Sequence, residues 1–305
     1  MPETTLLAVS LASLPASERK AAFAKLSPKA KAAALFDWHR VWARPEQLPP
    51  SGDWLTWVML AGRGWGKTRP GAEWIRQMAH DHPGCRMALG GKKPDDYRST
   101  MVEGDSGILR ISPPWFRPQW KPSHSPPMLA WPNGSLGFCY SGEVPDTLRG
   151  PSHHFAWTDE LVKFKYPQAY YDNLLFGLRL GSRPRHVITT TPRPISLLKA
   201  ILKDSHTVKT GGSTYDNELN LAPGFLSQII GRYEGTRLGR QEIHAELLED
   251  VPGALWTAAR LECNRVAAAP ALIRIVVAVD PAGSSDEGAA ETGIVAAGLG
   301  EDGHG

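Results

Sequence analysis

Two short stretches of this chain combine glycine, hydroxyl, lysine and carboxylate side chains in patterns suited to chemistry on an anionic ligand. In the first, residues 61–68, three glycines precede a lysine and a threonine. Backbone N–H groups of a glycine-rich turn and the positive end of the helix that follows converge on an anion. A lysine at this position reaches the β- and γ-phosphates of a nucleotide, and the threonine hydroxyl holds Mg²⁺. The stretch therefore predicts a phosphate-binding loop for ATP and Mg²⁺ made of Gly62, Arg63, Gly64, Trp65, Gly66, Lys67 and Thr68.

The residues on either side of this loop support the interpretation. An apolar run, Val58 to Ala61, predicts a strand before it. A helix is predicted over Arg69 to Ala79, where Pro70 is tolerable because it falls in the first turn. The strict pattern has glycine where this chain has Ala61, and we expect that small residue to fit. The alternative is a glycine-rich turn before an ordinary helix.

The second stretch is a pair of adjacent carboxylates, Asp159 and Glu160, at the end of a mostly apolar run. Beside a phosphate loop the two acids of such a pair have different roles. Asp159 is predicted to hold Mg²⁺ through water, and Glu160 to orient or deprotonate the attacking water. The distance from Lys67 suits an α/β nucleotide-binding core. The alternative is the solvated start of a helix.

Three consecutive threonines, Thr189 to Thr191, follow the predicted strand end Val187-Ile188. Open α/β sheets place ligands at the carboxyl ends of their strands. Hydroxyls there could sense the γ-phosphate, and we assign Thr190 as a nucleotide contact. A β-branched strand end before a proline turn is an equally weighted alternative.

Composition sets the broad class of protein. The chain has 305 residues, 42% of them hydrophobic and 21% charged, as expected of one large or two medium globular domains. The net charge of +3 means that any contact with nucleic acid depends on local patches. Three widely spaced cysteines, Cys85, Cys139 and Cys263, are typical of a reduced intracellular chain. The apolar opening, residues 6–17, lacks a basic leader and is interpreted as a helical arm, without a membrane span.

Further secondary structure is predicted on both sides of the loop. Ser27-Pro28 should cap a helix that carries Leu35, Trp38, Val41 and Trp42 on one side and ends at Pro45. Short strands are predicted at residues 85–90 and 136–140, with loops and short strands over residues 91–135. Later arginines, Arg232, Arg237 and Arg240, alternate with glutamates, which favours salt bridges over a track for DNA.

Five sequence blocks in this order resemble the large terminase subunit of tailed phages and gene-transfer-agent-like prophages. They are LAGRGWGKTRPGAEW, NGSLGFCYSGEVPDTLRGPSHHFAWTDEL, ITTTPRP, YEGTRLGRQEIHAELLEDVPGALW and RIVVAVDPAGSSDEGAAETGIVAAG. The resemblance implies an ATP-driven motor that packs double-stranded DNA into a procapsid, joined to a metal-dependent nuclease. It also implies an α/β P-loop NTPase fold of the additional-strand, catalytic-glutamate (ASCE) type, a three-layer sandwich with a mainly parallel sheet.

The resemblance assigns roles residue by residue. Lys67 and Thr68 match the Walker A pair, Asp159 and Glu160 match the Walker B pair, and the three threonines match the coupling motif. Arg63 is expected to reach the nucleotide of its own subunit. Arg149 resembles an arginine that acts across a subunit interface, although local pairing with Glu143 or Asp146 is an alternative.

The resemblance also implies partners and a location. We expect the chain to form a homo-oligomeric ring and to bind a portal protein and a small terminase subunit. We expect it in the cytoplasm of a bacterial host, transiently on the procapsid, and not in a membrane. Two rival functions stay open at this point: a non-catalytic prophage remnant that binds a partner, and a phosphate-loop kinase.

The last block is where the chain departs most from the family pattern. Ile273 to Val279 predicts the first strand of an RNase H-like nuclease, with Asp280 as its first metal-binding aspartate. Only 25 residues follow Asp280 (305 minus 280), enough for one more strand near Thr292 to Ala297. Ala290 stands where the family has an acid, and the roles of Asp286, Glu287 and Glu291 stay open. Since two-metal hydrolysis with Mg²⁺ or Mn²⁺ needs several carboxylates, we expect no nuclease activity from the chain as given.

Four segments are predicted: a helical lead-in over residues 1–50, a motor domain over 51–250, a linker over 251–272 and an incomplete nuclease domain over 273–305.

Overall fold

The computed structural model describes residues 15–248, 255–256, 260, 264, 270–281, 293–301 and 303. The chain divides into two compact units, residues 1–248 and residues 249–305. Most of the predicted helical arm, the helix break near Pro252, Cys263 and the acids around Ala290 lie outside the described residues.

An eight-stranded sheet forms the centre of the first unit. In chain order its strands are β1 (Thr56–Leu60), β2 (Arg86–Gly91), β3 (Gln119–Lys121), β4 (Met128–Ala130), β5 (Leu136–Ser141), β6 (Phe155–Asp159), β7 (Arg185–Thr190) and β8 (Thr207–Thr210). Across the sheet they lie in the order β3-β4-β5-β2-β6-β7-β1-β8. In this spatial order, the neighbouring strands β5, β2, β6, β7, β1 and β8 all pair in parallel. Strands β3 and β4 add an antiparallel edge.

The position of β7 between β1 and β6 is the topological feature that matters for the site. The strand before the phosphate loop and the strand before the two acids are therefore not neighbours. The register places Leu60 of β1 opposite Thr190, and Asp159 of β6 opposite Thr189. The predicted additional-strand type of α/β fold is confirmed.

Helices cover both faces of the sheet. They are α1 (Ala16–Ala24), α2 (Pro28–Phe36), α3 (Thr68–Asp81), α4 (Pro94–Asp96), α5 (Ile108–Ile111), α6 (Pro167–Gly177), α7 (Ser196–Lys203), α8 (Pro223–Tyr233) and α9 (Arg237–Glu242). Within the part of the chain that the structure describes, no helix is both long and apolar enough to cross a membrane.

Strand β1 shows how the layers assemble. All five of its residues are buried, because crossover helices cover a parallel sheet on both faces. Trp57 and Met59 pack in the core on the α3 side, whereas Val58 and Leu60 pack in the core that contains α6 and α7. The predicted three-layer α/β architecture is thus confirmed, with a hydrophobic core on each side of the sheet.

The helical lead-in differs from its prediction in one place. The Ser27 hydroxyl accepts a hydrogen bond from the Ala30 N–H, as expected of a capping residue. The helix nevertheless ends at Phe36, because the Asp37 carboxylate accepts from the Arg40 N–H and starts a separate π-helical turn, Trp38–Trp42. The prediction that one helix carries Leu35, Trp38, Val41 and Trp42 on one side was therefore wrong. Trp38 and Val41 are buried, whereas Leu35 is 51% exposed.

In the second unit, β9 (Leu272–Asp280) pairs antiparallel with β10 (Gly293–Gly300). Asp280 lies opposite Gly293 at the end of the ladder. Both predicted strands are confirmed, and the apolar side chains of β9, among them Ile275 and Val276, are exposed.

Candidate nucleotide site

The predicted phosphate loop joins the carboxyl end of β1 to the first turn of α3. Its glycines are required for different reasons. Gly64 and Gly66 have φ values of 78° and 89°, in the left-handed region that favours glycine. At Gly62 a Cβ atom would lie 2.6 Å from the carbonyl oxygen of Ile243. This close backbone approach ties the loop to the segment after α9.

Side chains hold the carbonyl oxygens of the loop, and most of these side chains come from elsewhere in the chain. Arg44 donates to the Trp65 carbonyl at 2.5 Å, and Asn217 donates to the Gly64 carbonyl at 2.6 Å. Further donors are Thr214 to the Arg63 carbonyl, Gln47 to the Gly66 carbonyl, and Lys67 to the carbonyls of Ala61 and Gly62. Each peptide plane is thereby fixed before a ligand arrives, which preorganises the loop.

Three N–H groups of the loop also bond to the protein, and the longest of these bonds runs from the Trp65 N–H to the Gly62 carbonyl at 3.4 Å. The Gly62 N–H donates to Gly212 and the Arg63 N–H donates to Glu242, at 2.9 Å and 2.7 Å. The loop then leads into α3, which begins at Thr68.

Sequence reasoning missed four of the residues that hold the loop: Arg44, Gln47, Thr214 and Asn217. Arg44 also stacks on Trp65, with its guanidinium carbon 5.0 Å from the ring centroid, and donates to Asn217 at 2.8 Å. These residues are distant from the loop in the chain and form no motif with it. Only the fold brings them together.

Lys67 is buried, with 8% of its surface exposed, and lies 3.9 Å from the nearer carboxylate oxygen of Glu160. Burial lowers the pKa of Lys67, and the negative charges of Glu160 and Asp159 oppose that effect. The ammonium therefore stands where phosphate oxygens would exchange for the loop carbonyls that it now contacts.

Asp159 is the last residue of β6 and is buried. Its carboxylate accepts a hydrogen bond of 2.5 Å from the Thr189 hydroxyl. Burial, and then the neighbouring charge of Glu160, raise the pKa of Asp159 to about 7, while the bond from Thr189 acts in the opposite direction.

Glu160 has an unusual backbone. Its φ of 56° and ψ of 45° put a non-glycine residue in the left-handed region, a strained conformation that clusters at functional sites. Its carboxylate accepts from the N–H and the hydroxyl of Thr191, at 3.3 Å and 3.1 Å, and lies 3.3 Å from the Lys163 ammonium. These contacts hold the acid at the edge of the sheet.

The threonine run lies between the loop and the acids, as the additional strand requires. Thr189 contacts Asp159 and Thr191 contacts Glu160. Thr190, the residue assigned from the sequence as a nucleotide contact, is buried and donates to the Thr191 carbonyl at 3.2 Å. The structure therefore joins the two flanking threonines to the acids, and that assignment for Thr190 stays a prediction.

Arg63, Thr68, Asp159, Glu160 and Lys163 line one cavity of about 370 Å³. Its remaining walls come from the end of β2, which supplies Gly91, and from the segment that follows, which supplies Lys92, Asp96, Thr100 and Met101. Sequence reasoning had not named the two lysines of this lining. The cavity brings together a loop arginine, a hydroxyl and both acids, as a nucleotide site requires.

The oxygens of this cavity fit Mg²⁺. The Thr68 hydroxyl and the Asp159 carboxylate are hard ligands, and Mg²⁺ is usually held by one or two carboxylates together with substrate phosphates. Within the described residues, no cluster of three or more His, Cys, Asp or Glu side chains could hold a metal by itself.

Arg149 does not line this cavity. Its guanidinium lies 3.1 Å from Asp146 and bonds to Asn173 at 3.4 Å, so the local pairing weighed from the sequence is present. It borders a separate cavity of about 320 Å³ together with Phe176 and Arg179. Of the later arginines, Arg240 forms a 2.6 Å ion pair with Glu246, in agreement with the salt-bridge prediction. Asp280 belongs to the second unit.

The fold and this cavity define an α/β nucleotide-binding domain of the phosphate-loop class. Residues 58–263 match the family model described as terminase large subunit, T4likevirus-type, N-terminal. The chain belongs to this family. No curated protein matches the chain.

Several solved structures that share this fold are large terminases. The large terminase from a thermophilic bacteriophage is 13% identical, with a TM-score of 0.55 over 72% of this chain and 53% of that one. The Thermus phage P74-26 large terminase ATPase domain is 15% identical, with a TM-score of 0.54 over 73% and 98% of the respective chains.

The HK97 bacteriophage large terminase is 16% identical, with a TM-score of 0.50 over 92% of this chain and 61% of that one. This chain thus spans about half the length of the large terminase from the thermophilic bacteriophage. That terminase has also been solved in complex with ATP-gamma-S and with ADP.

Proposed function

We propose that this chain hydrolyses ATP with Mg²⁺ and that the hydrolysis drives double-stranded DNA into a phage procapsid. The observation that carries the proposal is the convergence of Thr68, Asp159 and Glu160 on one cavity, with Lys67 3.9 Å from Glu160. Family membership and the nucleotide complexes of the thermophilic bacteriophage terminase support ATP as the ligand.

Each residue has a distinct part in this reaction. Lys67 exchanges its loop carbonyls for the β- and γ-phosphates, and the fixed N–H groups of residues 64–68 bind the same phosphates. Thr68 and Asp159 hold the metal, which when bound neutralises charge on the phosphate oxygens. Arg63 lies in the same cavity and stabilises negative charge on the transferred phosphoryl group from within its own subunit.

Glu160 orients the attacking water and accepts its proton. A general base must lie within reach of the proton that it takes, and Glu160 stands beside Lys67, the residue that marks the phosphate position. A base at this place favours hydrolysis over transfer to a second substrate. We therefore place this activity ahead of phosphate-loop kinase chemistry and of a non-catalytic remnant.

The partners follow from the family. We propose that copies of the chain assemble as a ring on the portal protein of a procapsid, in the cytoplasm of a bacterial host, with a small terminase subunit delivering the DNA. The sequence blocks are compatible with a tailed phage or a gene-transfer-agent-like prophage as the source.

The test is Mg²⁺-dependent ATP hydrolysis by the purified chain, with and without linear double-stranded DNA. Lys67→Ala and Glu160→Ala should each abolish hydrolysis, and DNA should stimulate the wild type. Phosphorylation of a small acceptor with no net release of phosphate would instead establish a kinase. A folded chain that neither binds nor hydrolyses ATP would favour the remnant.

A second, smaller proposal concerns Asp280. Its position at the end of β9 matches the first carboxylate of an RNase H-like nuclease, where it would bind Mg²⁺ or Mn²⁺. The described residues of this unit hold no cluster of metal-binding side chains, so we propose that they do not cut DNA alone. Metal-dependent cleavage of a plasmid by this chain, lost in Asp280→Ala, would contradict this.

A further inference from the structure

Three buried side chains form a hydrogen-bonded series that ends at the metal-binding acid. Trp157 and Asp159 are two residues apart on β6 and so point to the same face of the sheet. The Trp157 indole N–H donates to the Thr189 hydroxyl at 2.8 Å, and that hydroxyl donates to Asp159 at 2.5 Å. Trp157 and Thr189 are fully buried and Asp159 is 8% exposed.

The chemistry of the donors fixes the direction of this series. An indole N–H can only donate, so the Thr189 oxygen must accept from Trp157. The single hydroxyl proton of Thr189 is then left for an acceptor. The Asp159 carboxylate at 2.5 Å is a closer acceptor than the Thr158 carbonyl at 3.4 Å. The tryptophan therefore decides where the threonine proton points.

The same indole packs against the helix that follows the phosphate loop. A Cβ atom at Gly71, in the first turns of α3, would overlap the ring of Trp157. Glycine at this position lets the indole approach closely enough to reach Thr189. The ring thus lies between the helix that begins at Thr68 and the strand that ends at Asp159.

We propose that Trp157 and Thr189 are positioning residues, which orient the Asp159 carboxylate so that one oxygen is held by Thr189 and the other serves the metal in the cavity. This inference rests on the proposed function, since it assumes that Mg²⁺ binds there with a nucleotide. Neither residue touches the ligand. They act through Asp159, as hydrogen-bond partners of metal ligands commonly do.

The test measures binding of a fluorescent ATP analogue as a function of Mg²⁺ concentration. Thr189→Val removes the hydroxyl and keeps the shape, and should raise the half-saturating Mg²⁺ concentration about tenfold, within the usual range for such partners. Trp157→Phe should shift it in the same direction by a smaller factor. Thr189→Ser restores the hydroxyl and should return the value to near wild type. Binding without Mg²⁺ should not change.

The chain supplies a matched control in a second tryptophan–threonine pair. Trp57 is fully buried on β1 and donates to the Thr210 hydroxyl at 2.8 Å, away from both acids. Trp57→Phe removes an equivalent hydrogen bond and should leave the Mg²⁺ dependence unchanged. A shift in Trp57→Phe as large as that in Trp157→Phe would attribute the effect to packing and overturn the proposal.

A spectrum of the protein labelled with ¹⁵N-tryptophan tests the geometry without any nucleotide. The indole signal that disappears in Trp157→Phe identifies Trp157. It should move in Thr189→Val, stay in place in Thr189→Ser, and the signal of Trp57 should stay in both. An unmoved Trp157 signal in Thr189→Val would overturn the series itself.

The outcomes separate this inference from the function on which it rests. Wild-type protein that binds no nucleotide at any Mg²⁺ concentration would overturn both. Normal nucleotide binding with an unshifted Mg²⁺ dependence in Thr189→Val would overturn this inference alone.

Discussion

The ammonium of Lys67 lies 3.9 Å from the carboxylate of Glu160, although the two residues follow strands that are not neighbours. Strand β7 separates them, and its threonines fill the gap. Because burial lowers the pKa of Lys67, the negative charge of the acid beside it stabilises the charged form of the ammonium. This pair is the centre of the site and the first target for variants.

Glu160→Gln should separate binding from hydrolysis. The amide keeps the shape of the side chain and still reaches Thr191, but it cannot accept a proton. We expect a loss of about 10² to 10⁴ in the hydrolysis rate, the usual contribution of a general base, with nucleotide affinity nearly unchanged. Steady-state phosphate release and fluorescent-nucleotide binding provide the two measurements. Equal loss of affinity and rate would remove Glu160 from the role of base.

The backbone at position 160 should also be strained in a measurable way. With φ at 56°, a residue with a Cβ atom is disfavoured relative to glycine. Glu160→Ala and Glu160→Gly both remove the carboxylate, so their difference reports the backbone. The left-handed conformation costs alanine about 1–2 kcal/mol, and the greater backbone entropy of glycine in the unfolded chain offsets part of that difference. We therefore expect the glycine variant to be more stable by about 1 kcal/mol in the free energy of unfolding, measured by urea denaturation. Equal stability would mean that the strain is relieved elsewhere.

Acid should destabilise the protein through two buried histidines. Burial lowers the pKa of His186 to about 3 and that of His153 to about 4. In the unfolded chain these groups titrate near pH 6.5, so below that pH the unfolded state binds more protons. The free energy of unfolding should therefore fall with decreasing pH, by about 1.4 kcal/mol per pH unit for each histidine, until the folded pKa is reached.

A pair of variants checks this slope. The Thr158 hydroxyl lies 2.8 Å from the His186 imidazole, and the amide of His186→Gln can bond to the same hydroxyl. This variant should reduce the pH dependence of the free energy of unfolding between pH 6 and pH 4 by the contribution of one histidine. Tyr170→Phe breaks the 3.2 Å contact to Thr158 without removing a histidine. It should lower stability at every pH and leave the slope unchanged. An unaltered slope in His186→Gln would contradict the assignment.

Arg44 should control the affinity for nucleotide through the shape of the loop. Its guanidinium donates to the Trp65 carbonyl and to Asn217 with two separate nitrogens. A hydrogen bond from a charged donor contributes about 1.5–3 kcal/mol, so Arg44→Gln should raise the KM for ATP by roughly tenfold or more, with a smaller effect on kcat. Arg44→Lys should not restore the value, because one ammonium cannot replace the fork.

The control for this variant is an arginine of the same lead-in. Arg40→Gln removes a charge that pairs with Asp37 on the surface and should leave the KM unchanged. A KM that rises equally in Arg40→Gln would assign the effect to the lead-in as a whole.

Arg149 permits a test of catalysis between subunits. Both side chains of its ion pair with Asp146 are largely exposed to solvent. Arg149→Ala should therefore change the free energy of unfolding by less than about 0.5 kcal/mol. If the residue completes the site of a neighbouring copy, the same variant should lose about 10³-fold or more in the hydrolysis rate of the assembled ring. Mixing Arg149→Ala with Lys67→Ala chains should then restore part of the activity. Full hydrolysis activity of Arg149→Ala in the assembled ring would show that Arg149 does not act on a neighbouring subunit and only pairs locally with Asp146.

Much of the candidate site consists of residues adjacent in the chain and could therefore be predicted from the sequence. A phosphate loop consists of adjacent residues whose glycines and lysine serve one anion, so Gly62 to Thr68 identify it without knowledge of the fold. The acids Asp159 and Glu160 end a buried strand, and parallel strands bring their carboxyl ends to one edge. The family resemblance implied a mainly parallel sheet, and the apolar runs before the loop and before the acids are typical of its fully buried strands.

Other features depend on contacts between distant parts of the chain. Nothing near Arg44 or Asn217 in the sequence marks them as partners of the loop, because a hydrogen bond to a backbone carbonyl imposes no motif on either residue. The helix break at Asp37 had a local cause, yet side-chain capping competes with helix continuation by small free energies that packing decides.

The amino-acid sequence by itself determined the class of fold, the phosphate loop, the acid pair and the strands that present them, because each is specified by neighbours in the chain. Only the tertiary structure decided which threonines meet the acids, Thr189 and Thr191, and that Trp157 directs the first of them. The physical reason is register: side chains alternate between the faces of a strand, and only the pairing of β6 with β7 fixes which of them meet.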